Sequence, residues 1–197
     1  MSKNVMKSMF MYDFGLSVFN YKYLKCQPFY TEQKHSHDHI EIGYVKEGSC
    51  VLEFGIESID FSEGETMVVY PHSWHHFTTN NPKGCVIVQL EFGINNLSVL
   101  EYKENPDDNL LFLYSLLNRS VRYLKISGNE MIMDNMERLF FELERNPKGS
   151  SSLSKLYFFE LFIHLSRQLK EKKDIILEKT DKHVVNALQF IHNNFLE

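Results

Sequence analysis

The sequence predicts an α+β chain: an N-terminal antiparallel β-barrel or sandwich, then a C-terminal helical segment. Two observations carry this, a change of hydrophobic period near residue 105 and the turn signals that punctuate the chain before it. From about Val18 to Phe92, short apolar runs stand at Ile40–Val45, Cys50–Phe54, Thr66–Tyr70 and Val86–Phe92. Between them lie Lys46-Glu47-Gly48, Ser62-Glu63-Gly64 and Asn80-Asn81-Pro82-Lys83-Gly84. Short runs rich in β-branched and aromatic residues, separated by Gly- or Asn-bearing turns, are the pattern of antiparallel strands. Several runs are apolar on both faces, as expected of strands with a pocket on one side and protein on the other.

Beyond Asn105-Pro106-Asp107-Asp108 the period becomes helical. Leu110 to Leu117 are expected to form a short apolar helix. A second is expected from about Asn129 to Arg145, with Ile132, Met136, Leu139, Phe140 and Leu143 on one stripe. Asn146-Pro147-Lys148-Gly149 stops it, because Pro cannot continue a helix and Gly tolerates a left-handed cap. A third follows the N-cap hydroxyls of Ser150-Ser151-Ser152 and runs to about Lys170. It is apolar around most of its circumference, too much for a helix with one face in water. Leu156, Phe159, Phe162 and Ile163 therefore belong either to the monomer's core or to a contact with a second chain. A charged linker, Glu171 to Lys179, precedes a fourth helix from Thr180 or Asp181, striped by Val184, Leu188, Ile191 and Phe195. With nothing obvious to pack against, that helix is expected to open a further domain beyond Glu197.

Composition narrows the function. The net charge is −5 over 197 residues. The basic residues are scattered, with Lys170 to Lys173 interrupted by Glu171, so these residues are not expected to grip nucleic acid themselves. No apolar run approaches the roughly 20 residues of a membrane span. Met1 to Phe14 lacks a secretory pattern. Cys26, Cys50 and Cys85 form no CxxC pair and leave an odd thiol, which suits a reduced, cytoplasmic protein. No nucleophile elbow, Walker loop, zinc-ribbon spacing or dinucleotide fingerprint occurs.

The densest chemistry is Lys34-His35-Ser36-His37-Asp38-His39-Ile40-Glu41. His35, His37 and Glu41 are evenly spaced, so one extended strand can aim all three the same way. Imidazole and carboxylate together suit a divalent Zn, Ni, Mn or Fe ion. Pro71-His72-Ser73-Trp74-His75-His76-Phe77 ends another strand, and a barrel can bring one of its histidines opposite the first three.

These residues resemble the two cupin motifs. The first, H-x-H-x3-E-x6-G, is met by His35, His37, Glu41 and Gly48, with Phe29 standing where the family has a preceding Gly. The second, G-x5-P-x-G-x2-H-x3-N, keeps Gly64, but Tyr70, His72 and Thr79 replace its Pro, Gly and Asn. Its metal histidine then falls on His75. A shift of one, to use Pro71, would give His76; His75 is preferred because it keeps the register from Gly64 and shares a strand face with Phe77.

The His-rich entry, the Lys46-Glu47-Gly48 turn and the Pro71 to Phe77 cluster also resemble the N-terminal domain of AraC-type regulators. The two long helices resemble that family's dimerising helices. Val184 to Phe195 resembles the first helix of its double helix-turn-helix domain. The resemblance implies a cytoplasmic homodimer in three parts: a sensing barrel at 1–105, a dimerising helical region at 106–175 and the start of a DNA-binding domain at 180–197. It further implies a small-molecule effector bound in the barrel, DNA contacted only through the further domain, no membrane partner and no enzymatic activity.

Each site residue has a plainer alternative. His35, His37, Glu41 and His75 can line a pocket without a metal. Tyr44, Phe54, Tyr70 and Phe77, with Trp74, are candidates to line the effector pocket; singly, each fits ordinary core better. His39 is out of phase and expected to face outward, His72 and His76 suit exposed loop positions, and His164 suits a packed or interfacial one. The rival reading is a free-standing metal-dependent cupin enzyme, an oxygenase or isomerase, which leaves the aromatic helix and the last helix unexplained.

Overall fold

A computed structural model of the chain describes residues 15–79, 82–95, 112, 122–145 and 150–177. The expected stop at 146–149 and the helix from Thr180 lie outside these residues, as does the short helix near 110–117 apart from Phe112. Seven strands are described: β1 (Gly15–Cys26), β2 (Ile40–Phe54), β3 (Glu57–Ser62), β4 (Thr66–Val69), β5 (His76–Thr78), β6 (Cys85–Asn95) and β7 (Tyr123–Ile126). Two helices follow, α1 (Glu130–Arg145) and α2 (Ser150–Leu177).

Every strand pairing is antiparallel. The first sheet runs β1-β6-β2-β4-β7, and β3 and β5 flank the far half of β2. β2 is thus the hinge of the barrel, a 15-residue strand shared by both layers. The turn expected at Lys46-Glu47-Gly48 is instead a bulge inside it. Val45 pairs with Ile87 and Glu47 with Val86, leaving Lys46 as the extra residue. Gly48 follows with φ of 78°, a backbone state that favours glycine. The ladder to β6 survives the kink, and the strand bends into the second layer instead of ending.

The bulge also inverts side-chain parity. Before it, odd-numbered Glu41 and Val45 face the interior; after it, even-numbered Cys50, Leu52 and Phe54 do. One core fills the interior, with Val45, Leu52, Phe54, Phe61, Met67, Phe77 and Ile87. A second lies between the outer face of the first sheet and the helices. There Ile42, Val68, Val88, Leu90 and Phe92 meet Ile132, Met136, Leu139, Phe158, Phe162 and Leu165.

Three expectations change. The division near residue 105 is not a structural one, because β7 pairs with β4 and covers an otherwise open edge of the sheet. α2 continues to Leu177, through much of the stretch expected as a linker. Glu171 to Leu177 contains no Pro or Gly to end a helix, and helices run on through charged residues. Phe162, a candidate for contact between chains, is fully buried within the monomer, its ring against those of Phe92, Phe112 and Phe158. The outer face of the sheet has to be covered, and Phe162 covers it. Phe159 and Ile163 pack at the edge of the same core, whereas Leu156 is 48% exposed beside exposed Leu153.

Candidate metal centre

Three segments supply the histidines and the carboxylate. Glu41 is the second residue of β2, where alternation points it inward, and only 3% of it is exposed. His35 and His37 lie just before β2 in an irregular extended segment, so no single strand carries all three. His35 is held by a two-bond backbone bridge: its N–H donates to the His75 carbonyl (3.0 Å) and its carbonyl accepts the return bond from the His75 N–H (2.9 Å). His75, next to β5, is fully buried. One ligand atom from each of His35, His37, Glu41 and His75 lies within 4.8 Å of the others.

Hydrogen bonding sets the histidine tautomers. The Nδ1–H groups of His35, His37 and His75 donate to the carbonyls of Gln33 (3.0 Å), His39 (2.9 Å) and Ser73 (2.8 Å). Each proton is therefore on Nδ1, and the Nε2 lone pairs are left for the interior. The Nε2 atoms of His37 and His75 stand 3.2 and 3.4 Å from Glu41 Oε2. A neutral Nε2 and a carboxylate oxygen at that range oppose lone pair to lone pair. Only a cation relieves this, either a second proton on an imidazole or a metal ion. Burial alone would raise the Glu41 carboxyl, but the hydrogen bonds that His37 and His75 make to it when an imidazole carries its second proton outweigh burial and bring it down to about 2. Burial likewise disfavours charge on His75, yet bonding to Glu41 raises it overall.

The donor set fits a divalent metal on chemical grounds. It offers three imidazoles oriented by outer hydrogen bonds to carbonyls, the usual support of a metal-ligating histidine, and one oriented carboxylate. Glu41 Oε1 accepts a 2.8 Å bond from Gln89 Nε2, which also donates to Glu91 Oε1 (3.0 Å). Asn20 Nδ2 donates to the same Glu91 oxygen at 3.1 Å. This Asn20–Glu91–Gln89 support was missed in the sequence; its signal is the polar alternation Gln89, Glu91 inside an apolar strand. Glu32 was missed too, with no periodic signal in an irregular segment. Burial raises its carboxyl, which lies 3.9 Å from His35 Nδ1. The side chain of His35 is 38% exposed and that of His75 buried, so the site opens on the His35 side.

The other histidines divide less simply than their spacing suggests. His72 is exposed as expected, but His76 is not on an exposed loop: it begins β5, half-buried, and pairs with Glu53 at 3.5 Å. His39 is only partly outward: its ring stacks on His37 at 4.1 Å and its Nε2 is 3.3 Å from Glu91. His164 is packed beside Glu160. The two motif glycines replaced in this chain keep their backbone geometry. Phe29 has φ of 57° and His72 of 63°, both left-handed. Pro28-Phe29 sits in a turn closed by Tyr30 N–H to the Gln27 carbonyl, the arrangement that usually calls for Gly at its third position. Both positions agree with the register that ends on His75.

The four aromatic pocket candidates do not share one cavity. Phe54 and Phe77 face the interior, with Phe54's ring 6.0 Å from that of His75. Tyr44 and Tyr70 belong to the core under the helices. For Tyr44 the reason is the bulge, which puts it and Phe54 on opposite faces although both are even-numbered in one strand. Trp74 points out, 61% exposed. Tyr44 instead borders a surface groove of about 830 Å³ with Glu63, Met131 and Glu137.

An antiparallel barrel enclosing three imidazoles and a carboxylate defines a cupin-type site. Residues 24–90 match the family model "Cupin domain", a span that includes all four groups. The fold is accordingly an antiparallel cupin domain followed by two helices. Among solved structures, the chain is similar to YhaK from Escherichia coli, with 13% identity, TM-score 0.40 and coverage of 58% of this chain and 44% of that one. It is similar to KdgF from Halomonas sp., with 22% identity, TM-score 0.33 and coverage of 40% and 77%. Similarity extends to wild-type ToxT from Vibrio cholerae bound to an unsaturated fatty acid, with 16% identity, TM-score 0.45 and coverage of 80% and 55%. The chain thus spans about half the length of the YhaK and ToxT chains. No curated protein matches it. No helix among the described residues is long and apolar enough to cross a membrane.

Proposed function

We propose that this chain is the effector-sensing and dimerising part of an AraC-type transcription regulator of the reduced cytoplasm, and not an enzyme. The observation that carries this reading is the sharing of strands between site and helices. On β2, Glu41 belongs to the metal cluster while its neighbours Ile40 and Ile42 pack into the helical core. On β6, Gln89 bonds Glu41 while Val88 and Leu90 face the helices. A ligand that shifts Glu41 has only one strand thickness to cross before it presses on α1 and α2. His35, His37, Glu41 and His75 would hold one divalent ion, which would act as a Lewis acid for an oxygen or nitrogen donor on a small effector. Phe54 and Phe77 would bound the same space. The helix face carrying Leu156, with Phe159 and Ile163 at its flank, would meet a second copy of the chain.

Such a switch works only if the effector prefers one of two helix arrangements. The decisive check on the regulator reading is the gene. The reading frame is expected to continue past Glu197 into a basic helix-turn-helix domain, and a stop codon directly after Glu197 would contradict it. A second reading, the metal-dependent cupin enzyme, is favoured by one feature: the exposed edge of His35 leaves the site open to a substrate. Metal-loaded protein that turned over a substrate, with turnover lost in His37→Ala, would select it.

A further inference from the structure

The barrel gathers three residues that the sequence keeps far apart. Cys26 ends β1, Cys85 begins β6, and Cys50 lies in β2 just past the bulge. All three are free thiols and buried. Cys26 and Cys85 are direct register partners on neighbouring antiparallel strands. Residues opposed in that way have Cα atoms roughly 4.5–5.5 Å apart, within the roughly 4.4–6.8 Å that a disulfide spans. The Cys85 sulfur takes hydrogen bonds from both other thiols, which favours its thiolate.

Burial does not seal the pair. Cys26 and Cys85 line a groove of about 550 Å³, together with Lys25, Lys46, Lys83 and the backbone of Gly48 and Gly84. Cys50 is not on its wall and is only 2% exposed. Gly48 keeps the wall over Cys85 bare: a Cβ there would sit 3.2 Å from the Cys85 Cα and 3.4 Å from its Cβ. The groove shares no residue with the histidine cluster. Lys25, Lys46 and Lys83 border the groove together with Glu47, and the Lys46 ammonium is paired with Glu137 at 2.9 Å.

We propose that Cys85 and Cys26 form a peroxide-reactive pair, with small hydroperoxides as the oxidant admitted through this groove. The Cys85 thiolate attacks one peroxide oxygen; the S–O bond forms, the O–O bond breaks, and the departing oxygen takes the proton Cys85 gave up, leaving as water or alcohol. The Cys26 sulfur then attacks the Cys85 sulfenic acid; the S–S bond forms, the S–O bond breaks, and hydroxide leaves as water with the Cys26 proton. The two thiols lose two electrons, which the peroxide gains.

The test uses the reduced full 197-residue chain. It is exposed to hydrogen peroxide, alkylated after denaturation, and mapped by mass spectrometry without reductant. The expected result is loss of two of the three thiols in a Cys26–Cys85 linked peptide that dithiothreitol reverses. Cys50→Ala should still form that peptide, and Cys26→Ser should leave Cys85 as a sulfenic acid trapped by dimedone. Three intact thiols, under peroxide that consumes free glutathione, would overturn the proposal. So would a dominant bridge to Cys50, or oxidation that dithiothreitol does not reverse. The wild-type map alone decides the matter if either variant fails to fold.

Discussion

Glu41 receives more polar side chains than a carboxylate at 3% exposure needs for mere burial: two imidazoles on one oxygen and the Gln89 amide on the other. Such a group is costly without a cation. Glu41→Gln or His75→Ala should therefore lower the affinity for a divalent ion by 10-fold or more, on the order of what loss of a supporting group costs, as measured by titration calorimetry. Gln89→Leu should act in the same direction but less, since it removes only an orienting bond. A second residue-scale prediction concerns acid. Burial raises the Glu65 carboxyl, but its bonds to Lys125 at 2.8 Å, to Ser62 N–H and to Ser127 outweigh this and lower it. A depressed carboxyl contributes stability above its unfolded value, about 4.3, and loses it as pH falls through the folded one. Wild type should exceed Glu65→Gln by at most about 1 kcal/mol near neutrality, the gap closing in acid melts. At this scale the sequence was readable where spacing carries meaning: H-x-H-x3-E and the choice of His75 over His76. Glu32 was not, because contacts between distant segments bring it to the site.

The bulge in β2 governs what could be read at the scale of elements. Period-2 reasoning assumes an unbroken ladder, so an extra Lys46 misassigns every face beyond it. Lys46-Glu47-Gly48 has the composition of a turn, so the sequence suggests two strands where there is one, and the bulge places Tyr44 and Phe54 on its opposite faces. Gly48→Ala should be destabilising by about 1–3 kcal/mol, as its φ is 78° and an added Cβ would run into the Gly84 carbonyl oxygen; urea melts would measure it. The helices carry a buried face and an exposed one, the latter the proposed contact face. Phe162→Ala should cost about 3–5 kcal/mol as a core truncation in the same melts. Leu156→Glu should leave stability nearly unchanged while converting a dimer to monomer in analytical ultracentrifugation. If Leu156→Glu stays dimeric, the helix face is not the seam. The two described helices were legible in their order, but not in the length of α2, since a charged stretch can be linker or helix with equal local propensity.

At the scale of the molecule, barrel and helices are joined by a common core rather than linked as separate bodies. β7 returns to the sheet after the chain has left it, and Phe112 inserts under α2, its N–H donating to Ser166 Oγ at 2.9 Å. The sequence showed two halves with different periods but not this return, because Tyr123-Leu124-Lys125-Ile126 is four residues long amid helical patterning. The joint core places the barrel's contents one strand away from the helices, which is what the proposed sensing role requires. All of this depends on a cation among the four ligands. Crystals of the reconstituted protein, with anomalous data collected at the edge of the added zinc or nickel, test it most directly. One strong peak within bonding distance of the Nε2 atoms of His35, His37 and His75 and of a Glu41 oxygen is the expected result. A map without density there, from protein given excess metal, would contradict it.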